Sequence, residues 1–86
     1  MHMPRFHFHI QENGRFIPDD EGQEFVDSEL VRKEAVATGV SIARDVFVSG
    51  SAYRVVIDVR QEDAPFLKVS ISLDVEEASS GKRLRR

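Results

Sequence analysis

Period-two alternation of apolar and polar residues runs through three segments of the chain, and it constrains the fold more than any other feature. Phe6, Phe8 and Ile10 alternate with Arg5, His7, His9 and Gln11. Tyr53, Val55, Ile57 and Val59 alternate with Arg54, Val56, Asp58 and Arg60. Leu67, Val69, Ile71, Leu73 and Val75 alternate with Lys68, Ser70, Ser72 and Asp74. Successive side chains of an extended chain point to opposite faces, so each segment is expected to have one buried face and one wet face.

Turn chemistry divides these segments. The pattern predicts a strand over Pro4–Gln11, a turn at Glu12-Asn13-Gly14 and a short return strand over Arg15–Ile17 stopped by Pro18. Asp19-Asp20-Glu21-Gly22 reads as a second turn, with Gln23–Val26 extended. Asp27 or Ser28 then caps a helix, because a short side-chain oxygen accepts from the free amides of the first turn. On a wheel of about 100° per residue, Val31, Ala35, Val36, Gly39, Val40, Ile42, Ala43, Val46 and Phe47 share roughly half the circumference. Arg32 intrudes on that arc and is expected to snorkel. Gly39 on the apolar arc predicts close approach to a strand, and Gly50 supplies the left-handed stop. Ala52–Arg60 and Phe66–Val75 are read as a second hairpin joined by Gln61-Glu62-Asp63-Ala64-Pro65.

The expected fold is therefore α+β: a two-layer, four-stranded, mainly antiparallel sheet in the order β-β-α-β-β, with one helix packed on one face. At 86 residues there is room for one domain, read as 4–75. Residues 1–3 are read as an N-terminal extension, in which Met1 and His2, preceding a second methionine, are either native or a cloning remnant. Residues 76–86 are read as a flexible tail ending in Lys82, Arg83, Arg85 and Arg86. The chain has no cysteine, which removes disulfides, thiolate metal sites and cysteine nucleophiles. No apolar run approaches the roughly 20 residues that span a bilayer, and the start lacks the apolar core of a signal peptide. A cytoplasmic location and no membrane partner are the expectation.

From Pro4-Arg5-Phe6-His7-Phe8-His9-Ile10, through Gly14, to Ile17-Pro18-Asp19-Asp20-Glu21-Gly22, the chain resembles a group of short bacterial proteins known only as a domain of unknown function. Asp27 and the Glu34-Ala35 pair occupy the corresponding helical positions, and the resemblance covers Pro4 to Leu73. His7 stands where the group has an aromatic, and Val26 where it has proline. The resemblance implies no activity, and no role for His9, which matches a position of the group.

No constellation of residues carries a reaction. His7 and His9, two apart on a strand, project from one face and are weak metal candidates. Asp58 shares the polar strand face and is a possible third ligand, but an ordinary solvated sheet face is the better reading, so no metal or other cofactor is expected. Asp19, Asp20, Glu21 and Glu24 lack the spacing of a calcium loop. Ser70 and Ser72 share a face, and His7 and His9 are possible neighbours, but no nucleophile-elbow pattern accompanies them. The chain is read as having no catalytic activity.

What remains is surface. Arg5, His7, His9, Arg54, Arg60 and Lys68 all fall on the outer sheet face and form the candidate binding face. Nucleic acid is its second-choice ligand, because the net charge is −3 and the aromatics are expected to alternate inward. A protein partner is preferred, above all a second copy of the chain. Val56 on the wet face, Phe66 at the mouth of the second hairpin, and Leu30 and Val48 off the helical stripe would feed such a dimer, by sheet edge or sheet face. The leading expectation is a small cytoplasmic interaction module that self-associates; the alternative is a nucleic-acid-binding or regulatory protein using the outer face.

Overall fold

Two tight turns and one helix set the path of the chain. The computed structural model describes residues 3–78, so the expected basic tail from residue 79 onward lies outside the described residues, as do Met1 and His2. The elements are β1 (Arg5–Glu12), β2 (Arg15–Ile17), β3 (Gln23–Glu24), α1 (Ser28–Ser49), β4 (Arg54–Gln61) and β5 (Ala64–Ser72). Asn13 and Gly14, at φ 50° and 92°, join β1 to β2, with Glu12 opposite Arg15. Glu62 and Asp63, at φ 48° and 74°, join β4 to β5, with Gln61 opposite Ala64. Positive φ at both loop residues gives the turn whose twist matches that of the flanking strands.

The sheet order is β2-β1-β4-β5, and every pairing is antiparallel. The two-residue β3 adds a fifth strand to the expected four and pairs with β1 beyond the end of β2. The fold is thus α+β, with one helix over one face of an open antiparallel sheet. β4 is central, and its inner residues Val55, Ile57 and Val59 are 0% exposed. They meet Phe8 and Ile10 of β1 on one side and Leu67, Val69 and Ile71 of β5 on the other. Burying each such aliphatic side chain contributes about 1.5–3 kcal/mol.

The helix lies over β4 and β5. Asp27 is its N-cap and accepts from the Glu29 amide at 2.9 Å. At the other end Gly50 turns left-handed at φ 82°, and the amides of Gly50 and Ser51 both donate to the Val46 carbonyl at 3.0 Å. Val31, Ala35, Gly39 and Ala43, spaced by four, form the buried seam, flanked by half-buried Ile42, Val46 and Phe47. Val36 and Val40 stay exposed, against the expected wider arc. A cylinder laid on a sheet touches it along a band narrower than half its circumference.

Three further expectations are corrected at the strand ends. Tyr53 precedes β4 and is exposed rather than core-facing. The alternation of Leu73 and Val75 lies beyond the last residue of β5, and Val75 is exposed. The second hairpin loop is two residues long, with Ala64 and Pro65 already in β5. A bulge follows: Pro65 faces Arg60 and Leu67 faces Val59, leaving Phe66 as the extra residue. Its ring packs edge-on against Phe6 at 5.0 Å, and Phe25 packs against both Phe6 and Phe8 at 5.9 and 5.8 Å. Phe25 and Phe66 thus join the aromatic side of the inner layer at β1.

Gly39 marks the tightest contact between the layers. A Cβ there would stand 3.0 Å from Ile71 Cδ1 and 3.3 Å from Ile57 Cγ1. A Gly39→Val variant should lose about 1–3 kcal/mol of stability, because the branched side chain must displace the fully buried Ile57. Urea denaturation monitored by circular dichroism checks this; an unchanged midpoint would contradict the close approach.

Candidate binding face

The face opposite the helix carries the polar half of each alternation, and the register orders it into rows. His7 stands opposite Arg60, and His9 opposite Asp58, which in turn faces Lys68. Gln11 stands opposite both Phe16 and Val56, which faces Ser70; Arg54 pairs with Ser72. All six residues of the expected binding face therefore occupy β1, β4 and β5, but they do not share one task.

Arg5 works as a tether. Its guanidinium donates to the Glu21 carbonyl at 2.8 Å and to Glu24 Oε2 at 3.2 Å, holding the loop between β2 and β3 against β1. Arg60 lies 3.8 Å from Asp58 and donates to the Asp63 carbonyl at 3.5 Å. The His7 and His9 rings stack at 6.2 Å. His9 Nδ1 accepts from the Asp19 amide at 3.0 Å, which leaves the proton of the neutral ring on Nε2. His9 Nδ1 is thus engaged and Asp58 is drawn to Arg60. Among the described residues, no group of three or more histidine or carboxylate side chains is placed to hold a metal ion. Ser70 and Ser72 face Val56 and Arg54, so β4 separates them from both histidines.

Asp19 has a role that the acidic turn concealed. β2 pairs with β1 from Ile10 onward and β3 pairs at Arg5 and Phe6, so a gap falls at Phe8. Asp19 Oδ2 accepts from the Phe8 amide at 3.0 Å, and Oδ1 accepts from Gly22 at 3.1 Å. One carboxylate thus fills a missing strand contact and closes its own loop. Burial works to raise the Asp19 pKa, but the amides of Phe8 and Gly22, the nearby His7 imidazole and the Glu21 amide outweigh it and hold the group below its ordinary value. Gly22 completes the loop at φ 73°; a Cβ there would meet His7 Nε2 at 2.8 Å and the Phe6 carbonyl at 2.9 Å.

Two surface expectations change. Phe16 points outward and is 54% exposed, with its ring 5.6 Å from His9, so the aromatics do not all alternate inward. The signal was available: a two-residue turn at Asn13-Gly14 sets Phe16 opposite Gln11, on the wet face. Val56 is only 8% exposed although it lies on that face. It therefore adds little apolar surface for a dimer contact. Among the described residues, no helix is long and apolar enough to cross a membrane.

The Asp19 contacts give a testable pH dependence. A lowered folded-state pKa stabilises the fold fully above the unfolded value of about 4, and the contribution is lost as pH falls through the lower folded value. Asp19→Asn places an amide donor or a weaker acceptor before two N–H groups and should cost about 1–2 kcal/mol at neutral pH. Urea unfolding of both proteins along a pH series should show the gap closing below about pH 4; a gap independent of pH would contradict the ionised latch.

Comparison with known proteins places this architecture in a family. No curated protein and no solved structure matches the chain. Residues 5–72 match the family model described as Domain of unknown function (DUF6894). That span runs from the first residue of β1 to the last of β5 and contains every element described above. On that match, the chain belongs to the DUF6894 family.

Proposed function

We propose that this domain is a non-catalytic cytoplasmic interaction module that pairs with a second copy of itself through the open edge of β5. The supporting observation is the unequal treatment of the two sheet edges. On the β1 side, β2, the Asp19 carboxylate and β3 take up successive parts of the strand. β5 pairs only with β4 among the described residues, and its other edge is open. Pro65 and the bulge blunt only its beginning. From Leu67 to Ser72 the edge carries a single charge, Lys68, and its inner residues Leu67, Val69 and Ile71 are only half-buried. Unpaired edges of this kind template the addition of another strand.

A second copy suits this edge for a geometric reason. In an antiparallel pair related by a two-fold axis normal to the sheet, opposing residues must share a face. An axis through Ser70 sets Val69 against Ile71 and Lys68 against Ser72, joining apolar to apolar and charged to hydroxyl. The result is one continuous sheet with both helices on the same side. The outer face ranks second as an interface, since Arg5 and Arg60 are engaged within the chain and the net charge is −3.

Sedimentation equilibrium from micromolar to millimolar concentration tests the proposal, and a reversible monomer–dimer equilibrium is expected. Replacing Ser70 and Ser72 by lysine acts on the solvated face and places like charges across the two-fold. That double variant should keep the circular dichroism spectrum and weaken the dimer about tenfold or more. A monomer at every concentration, or a dimer indifferent to the two lysines, would overturn the reading.

A further inference from the structure

An open depression of about 330 Å³ lies on the outer face, lined by Gln11, Asn13, Gly14, Arg54, Val56 and Lys68. We propose that it binds a compact oxyanion, either inorganic phosphate or the phosphate group of a small metabolite. The residues that line this site belong to one copy of the chain, and one of them, Lys68, also borders the β5 edge proposed to pair.

Charge distribution carries the argument. Four cations from the strands lie on the outer face, and two are neutralised internally: Arg5 by Glu24 and Arg60 by Asp58. Among the described residues, no carboxylate stands within ion-pair distance of Arg54 or Lys68, and these are the two that line the depression. Asp58 is directly opposite Lys68 in the register, yet its carboxylate lies toward Arg60. The ion pair thus engages the carboxylate that faces Lys68 across the two strands. Arg54 offers a planar fork suited to two oxygens of one phosphate, and Lys68 offers a point charge.

The surroundings fit the same chemistry. Arg54 and Lys68 come from adjacent strands and share a face, two register positions to either side of the Val56–Ser70 pair. Val56, nearly sealed from solvent, forms an apolar floor that strengthens any charge pairing above it. Gln11 and Asn13 add neutral amide donors at the rim. Gly14 adds no side chain to that rim, and the space beside its Cα is open. The volume falls in the range of small-molecule sites. A long polyanion fits less well, since a strand crossing the sheet from this depression meets Asp58 and then the Asp19-Asp20-Glu21 loop.

Titration with inorganic phosphate, followed by amide NMR shifts and compared with sodium chloride at matched ionic strength, tests the site. Saturable shifts are expected at Asn13, Gly14 and Val56 with phosphate alone. Arg54→Gln and Lys68→Gln should each weaken binding about tenfold or more, the loss of one charge-assisted contact. Arg15→Gln, an exposed cation outside the depression, should leave it unchanged. A parallel titration with a sugar phosphate identifies the source: tighter binding than phosphate assigns a phosphorylated metabolite, and equal binding assigns the free ion. Identical responses to phosphate and chloride, or undiminished binding by Arg54→Gln, would overturn the site. So would tighter binding of an oligothymidylate than of phosphate, because the ligand would then be a nucleic acid.

Discussion

The pairing of β4 with its two neighbours governs everything else in this domain. Its inner row is sealed between β1, β5 and the helix, and its outer row fixes the positions of Arg54, Val56, Asp58 and Arg60. A slip of one residue would exchange the two rows and drive two arginines and an aspartate beneath the helix. Burying those charges without partners costs far more than one residue of sheet pairing returns. Register is therefore set by the aliphatic row, and the polar face inherits its order from the core.

That inheritance explains why the outer face is divided. The half built from β1 and the β2–β3 loop is internally satisfied, with Arg5 on Glu24, His9 on the Asp19 amide and Asp19 on two amides. The half above Val56 has cations without such partners among the described residues. Side chains that close a loop are not available to a ligand, so the division separates structural from functional candidates more sharply than face parity alone.

Much of the architecture was legible because period-two and helical spacing are local properties. Phe6, Phe8, Val55, Ile57 and Val59 turned inward, Gly39 met the sheet, and Asp27 and Gly50 bounded the helix, as the residue pattern implied. The failures were of a different kind. The residue pattern puts Pro65 in the hairpin connection, but an edge strand at a bulge accommodates it. Tyr53 continued an alternation one residue before β4 begins, and its side chain stays exposed although its carbonyl accepts from the Leu73 amide. Asp19 looked like one of four solvated carboxylates, since its task depends on a gap in β1 pairing that only the folded chain creates. The candidate face was legible as a set of residues, whereas its internal ion pairs required knowing which rows were neighbours.

The two turns with both residues at positive φ carry a kinetic consequence. Each closes a hairpin between segments adjacent in the chain, an event on the scale of about 1–10 μs. The β1–β4 seam instead joins Phe6 to Gln61 and must wait for the intervening helix and loops to be gathered in. Assembly should thus proceed from two quickly formed halves to one slow docking step. Until that step is complete, the aliphatic flank of β4 lies open to other nascent chains.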